Sequence, residues 1–200
     1  MIKKLSSVLA ISSLMALPMS QALAADSPWS VGVAVGSAKT DVSGINADIA
    51  TVCATAGFSC DESDTGYKLY GGYKVNNNFT VELAYVDLGK VSIKDAGVDA
   101  VTLKNSGLAA YGMFSYPIDK ASLFAKVGFS RLNTDANDIG VASYSDTKTN
   151  FAWGLGASYA LTDNVGVNLV WDRFKPEFTA DGADLDTNAD LISVGLSYSF

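Results

Sequence analysis

Histidine is absent from the 200 residues, and cysteine occurs only twice, at Cys53 and Cys60. Without an imidazole, the usual general base for acyl transfer cannot be built, so catalysis would rest on paired carboxylates alone and no enzyme is expected. Two cysteines and no histidine also fall short of the ligand set of a zinc site, and nothing points to a cofactor. Long apolar runs are missing too. The best stretch, Val8 to Leu17, is interrupted by Ser12 and Ser13 and stopped by Pro18, well short of the roughly 20 residues that cross a bilayer as a helix. Positive charge is scarce: 14 Lys and Arg stand against 21 Asp and Glu, a net charge of −7. That balance excludes nucleic acid as a partner, because binding it takes a surplus of cations.

What the first residues do contain is Lys3 and Lys4, the short apolar stretch, and Ala22-Leu23-Ala24, a small-x-small cleavage site. Residues 1–24 are therefore expected to be an export signal, and residues 25–200 a single domain. Cleavage after Ala24 removes two basic residues and no acid. The remaining 12 cations face 21 acids, a net charge of −9.

In the rest of the chain, patterning is more informative than composition. In the last segment Ile192, Val194, Leu196, Tyr198 and Phe200 alternate with Ser193, Gly195, Ser197 and Ser199. Seven earlier segments do the same, beginning near Trp29, Gly66, Phe79, Gly107, Leu123, Phe151 and Val165. Period two with bulky apolar residues on one face and Gly, Ser, Ala or Asn on the other predicts strands whose greasy face meets lipid. A soluble sandwich or periplasmic barrel for an apolar ligand shares this pattern, with the bulky face buried instead. The export signal, the terminal aromatic and the aromatic strand ends favour the membrane.

Connections between these segments alternate in length. Asn76-Asn77-Asn78, Pro117 to Lys120 and Thr162-Asp163-Asn164 are short, whereas roughly 37–65, 90–106, 133–149 and 175–189 are long. The expected fold is all-β: an eight-stranded antiparallel transmembrane β-barrel with short periplasmic turns and four longer extracellular loops. Eight strands leave an interior that side chains fill, so no wide pore is expected.

Lys68-Leu69-Tyr70-Gly71-Gly72-Tyr73-Lys74-Val75-Asn76, the strand carrying Glu82 with Tyr85 to Gly89, Tyr116-Pro117-Ile118, Tyr159 to Thr162 and Ser193 to Phe200 together resemble the transmembrane domain of the outer membrane protein A family. The resemblance spans nearly all of residues 25–200. It implies location in a Gram-negative outer membrane among lipid and lipopolysaccharide, with delivery by periplasmic chaperones and the barrel assembly machinery. Leu196, Tyr198 and Phe200 are the expected assembly signal. The peptidoglycan-binding domain of longer members has no counterpart here, so wall tethering is not expected. The family carries a charged network inside the barrel that is discussed as a gate. Glu82 matches one of its positions, while Met113, Ser158 and Asn168 stand where the other three carry charged residues, and Lys126 matches a basic position of the family on the fifth strand.

Glu82 needs a cationic partner, since a lone buried carboxylate is very costly. Lys126 across the lumen and Lys74 diagonally across the turn are the candidates, and Lys68 and Asn168 complete the expected polar interior. Cys53 and Cys60 meet an oxidising periplasm on export and are expected to pair. Asp172 and Asp190 are expected to approach each other near the last loop, with Glu177, Asp181, Asp184 and Asp186 beyond, a set suited at most to weak divalent-cation binding. The expected role is structural and interactive: a protein plug whose loops meet an extracellular ligand or host surface. A narrow ion or small-solute pore is the alternative.

Overall fold

Period-two alternation gives every strand a lipid face and a lumen face, and eight such strands close on themselves. The computed structural model describes residues 27–41, 58–61, 63–95, 98–138, 144–175, 177–180, 183–186 and 188–200. The predicted export signal and Cys53 lie outside the described residues. The strands are β1 (Trp29–Asp41), β2 (Phe58–Asp61), β3 (Ser63–Lys74), β4 (Phe79–Asp95), β5 (Val98–Ile118), β6 (Ala121–Asp138), β7 (Tyr144–Ala160), β8 (Val165–Phe174), β9 (Glu177–Ala180), β10 (Ala183–Asp186) and β11 (Asn188–Ser199). All pairings are antiparallel. β1 pairs with both β3 and β11, and β4 pairs with both β3 and β5, so the order β4-β3-β1-β11-β8-β7-β6-β5 returns to β4. Closure leaves no edge within the apolar belt, where each unpaired backbone group would cost several kcal/mol.

The three tight turns are built by the residues that suggested them. Asn76 Oδ1 accepts the backbone N–H of Asn78 and of Phe79, each at 2.9 Å, and Thr162 Oγ1 accepts that of Val165 at 3.0 Å. Between β5 and β6, Asp119 takes φ 56°, a left-handed conformation that aspartate tolerates. At this end the chain also ties its ends together, with the Phe200 N–H donating to the Trp29 carbonyl at 3.1 Å.

At the opposite end the strands run further than the alternation indicated. β4 to β7 are 17 to 21 residues long, against 10 to 13 for β1, β3, β8 and β11. Most of 90–106 and 133–149, expected as loops, is paired strand. Beyond the lipid both faces of a hairpin meet water, so backbone pairing persists while the apolar alternation that marks it in sequence does not. The last long connection holds a separate β9–β10 hairpin. Where β4 leaves the apolar belt, its register with β5 shifts between Asp87 and Lys90. Gly89 sits there at φ 74°, and the Asp64 carboxylate accepts the Lys90 N–H at 2.8 Å.

The outer face is a belt of Val31, Val33, Val35, Leu69, Leu83, Leu108, Leu155, Leu169, Val194 and their like, all exposed. Inside, the upper lumen is apolar: Val86, Leu88, Leu132, Phe174 and Leu191 are each at most 4% exposed. This is the part of the lumen towards the long-strand end. The polar interior lies beneath it.

Candidate functional site

Four ionisable side chains from four strands meet beneath that apolar plug. Lys68 on β3, Glu82 on β4, Lys126 on β6 and Asp172 on β8 occupy inward positions and are each at most 6% exposed. Lys126 Nζ lies 3.0 Å from Glu82 Oε1 and 2.7 Å from Asp172 Oδ1. Lys68 Nζ donates to Asp172 Oδ2 at 2.9 Å and lies 4.0 Å from Glu82 Oε1. Two cations and two carboxylates form a quartet with no net charge, the condition under which charges persist away from water. Aromatic faces line the ammonium groups, with the Tyr111 ring centroid 4.4 Å from Lys126 Nζ and that of Tyr70 5.1 Å from Lys68 Nζ. Gly154 makes the room. A Cβ there would come 2.7 Å from Asp172 Oδ1 and 2.9 Å from Lys126 Cε.

Two polar layers lead down from the quartet to the short-turn mouth. In the first, Asn168 Nδ2 donates to Tyr70 Oη at 2.9 Å and to Ser197 Oγ at 3.1 Å. A cavity of about 120 Å³ lies here, bounded by Lys68, Glu82, Tyr70 and Asn168 among others. Below it the mouth opens as a hollow of about 880 Å³ lined by Lys74, Asn76, Asn77, Asp163 and Phe200. Three buried hydroxyls, on Tyr111, Ser130 and Ser193, have no hydrogen-bond partner among the described residues.

The structure thus brings Glu82, Lys126 and Lys68 together and sets Asn168 one layer lower. Lys74 is not in the quartet. It is exposed at the mouth, where water solvates its ammonium and nothing draws it inward. The expected approach of Asp172 and Asp190 is also corrected. Asp172 pairs in register with Leu191, and Asp190 with Arg173, so the two carboxylates lie on opposite faces of the wall. Asp172 is the functional residue that the sequence reading misplaced. Its signal was available, because it continues the inward phase of Asn168 and Val170.

Asp190 instead faces outward, where its carboxylate accepts from Arg173 Nε at 2.6 Å, from Arg173 Nη2 at 2.7 Å and from Trp171 Nε1 at 3.1 Å. Leu196 and Tyr198 point to the lipid side, and Tyr198 packs edge-on against Phe200 at 5.2 Å. Cys60 is placed in β2 by its pairing with Ile93. Among the described residues no three His, Cys, Asp or Glu side chains converge as a metal site requires.

Residues 7–200 match the outer membrane protein beta-barrel domain family. Outer membrane protein A of Shigella flexneri is 28% identical over 144 residues, which cover 70% of this chain and 41% of that protein. The chain thus spans about two fifths of that relative's length. Two solved barrels share the fold: Neisserial surface protein A, with a TM-score of 0.62 at 16% identity over 87% of this chain and 98% of that one, and Ail, the attachment invasion locus protein of Yersinia pestis, with a TM-score of 0.56 at 16% identity over 87% and 99%. The match over residues 7–200, with the closed eight-stranded wall and its apolar belt, places the chain in the outer membrane and makes it a member of the outer membrane protein β-barrel domain family.

Proposed function

We propose that this protein is a sealed outer-membrane scaffold whose role is structural and interactive, holding its tall extracellular β-structure at the cell surface. The observation that carries this reading is the double closure of the lumen. The neutral quartet Lys68, Glu82, Lys126 and Asp172 fills one level, and Val86, Leu88, Leu132, Phe174 and Leu191 fill the next. Ion passage would have to break the first and wet the second. The extended β4 to β7 wall supplies a surface for an extracellular ligand. Cleavage after Ala24, a Cys53–Cys60 bridge stiffening the first connection, and recognition of Leu196, Tyr198 and Phe200 by the assembly machinery belong to the same reading.

The alternative, a narrow ion or small-solute pore, has one observation in its favour: the hollow and the cavity reach from the mouth to the quartet. Single-channel recording in planar bilayers tests the two. The sealed scaffold gives no steps above the lipid background. Reproducible small steps that change when Lys126 is replaced would transfer the function to the pore.

A further inference from the structure

The hollow at the short-turn mouth and the cavity beneath the quartet have Ser30, Thr80, Met113 and Ser199 as common wall, so one space opens into the other at that level. Lys68 and Glu82 form the roof of the cavity, and the rest of the quartet and the apolar plug close the way up. The described residues thus enclose a chamber entered from the short-turn end. The space coincides with a departure in sequence. Met113, Ser158 and Asn168, the neutral residues at positions where the resembled family carries charge, all line it.

The walls select a guest by size, charge and polarity. At about 120 Å³ the cavity suits a molecule of roughly six non-hydrogen atoms. Two cations and two carboxylates already balance in the quartet, so a bound ion would add an uncompensated charge where charge is penalised. The polar wall below the roof consists of hydroxyls and an amide, which match neutral groups that both donate and accept. The strongest bonding groups have capacity to spare. The ion pairs of Glu82 run through Oε1, which leaves Oε2 to accept. Both N–H groups of the Asn168 amide are engaged, by Tyr70 and Ser197, so its Oδ1 also accepts. Lys68 Nζ donates to Asp172 and keeps further N–H groups to donate. Phe124, Met113 and Val170 add an apolar surface to the same cavity. A guest that matches is uncharged, with hydroxyls on one side and carbon on the other.

We propose that this cavity binds a small neutral polyol of about three carbons, its hydroxyls donating to Glu82 Oε2 and Asn168 Oδ1 and accepting from Lys68, its C–H groups resting on Phe124 and Met113. The site lies below the quartet. Conductance would overturn the sealed scaffold and leave this site standing, whereas failure to bind would leave the scaffold.

Met113 is on the cavity wall and is the single methionine after residue 19, which makes its methyl group a local reporter. The full chain is purified from the outer membrane, isotopically labelled at the methionine methyl carbon and placed in lipid nanodiscs, and M113L identifies the resonance. Glycerol is titrated beside propanol, glycine and glycerate. A saturable shift is expected with glycerol and with none of the others. N168A should raise half-saturation about ten-fold, and T80F, which narrows the common wall, should abolish saturation. Retention of the boiling-dependent gel shift shows that each variant is folded. A drift that never saturates, an equal response to propanol, a saturable response to glycine or glycerate, or folded N168A and T80F that titrate like the parent would each overturn the site.

Discussion

Lys126 shows how much a single buried charge organises. It lies within 3.0 Å of both carboxylates of the quartet, whereas Lys68 is 2.9 Å from Asp172 and 4.0 Å from Glu82. K126M would leave Glu82 with Lys68 alone, 4.0 Å away, and would leave the two buried carboxylates to share one cation. Loss of about 3–5 kcal/mol is expected, read as a lower urea midpoint for the folded barrel in lipid vesicles. K74A is the matched control, with a change within about 0.5 kcal/mol, because Lys74 is solvated at the mouth. Gly154 acts at the same scale. G154V places atoms where Asp172 and Lys126 meet and is expected to cost about 1–3 kcal/mol as overpacking, again seen in the urea midpoint.

Among elements, β4 has two regimes. From Phe79 to Tyr85 it is a membrane strand with one lipid face; beyond the shift at Asp87 to Lys90 it pairs with β2 and β5 in the extended wall. Gly89 is the hinge of that change, because φ 74° excludes a side chain at little cost and a Cβ would come 2.7 Å from the Asp64 side chain. G89A is expected to cost about 1–2 kcal/mol. The loss should be local: amide exchange accelerates from Asp87 to Ser106, while the membrane strands keep their protection and the boiling-dependent gel shift is retained. Uniform acceleration across β1 and β11 would show instead that the bulge supports the whole barrel.

For the molecule as a whole, closure and plugging make two separable predictions. A closed barrel in detergent should migrate differently with and without boiling, since heat alone opens the continuous strand pairing. The plug should be the barrier to ions. F174A with L191A removes its two bulkiest fully buried apolar side chains, and small conductance steps are expected in planar bilayers where the parent shows none. If the double variant stays silent, the quartet is the barrier, and adding K126M should then produce the steps.

Alternation marked the eight wall strands and their bulky face, and the export signal, aromatic strand ends and alternating connection lengths turned that pattern into a membrane barrel, because hydrocarbon penalises every misplaced polar group and each spanning strand must record its facing in its side chains. The same phase placed Lys68, Glu82, Lys126 and Asn168 in the lumen. Outside the lipid that constraint lapses, so the strand extensions through Lys90 to Asp95 and Asn133 to Asp138 left no mark, and polar sequence there looked like loop. Partner choice was also beyond the sequence. Lys74 and Asp172 have the residue types and phases of their rivals, and which of them meets Glu82 and Lys126 depends on strand tilt, on the space left at Gly154 and on access of water to the mouth. Those distances exist only once eight strands have closed.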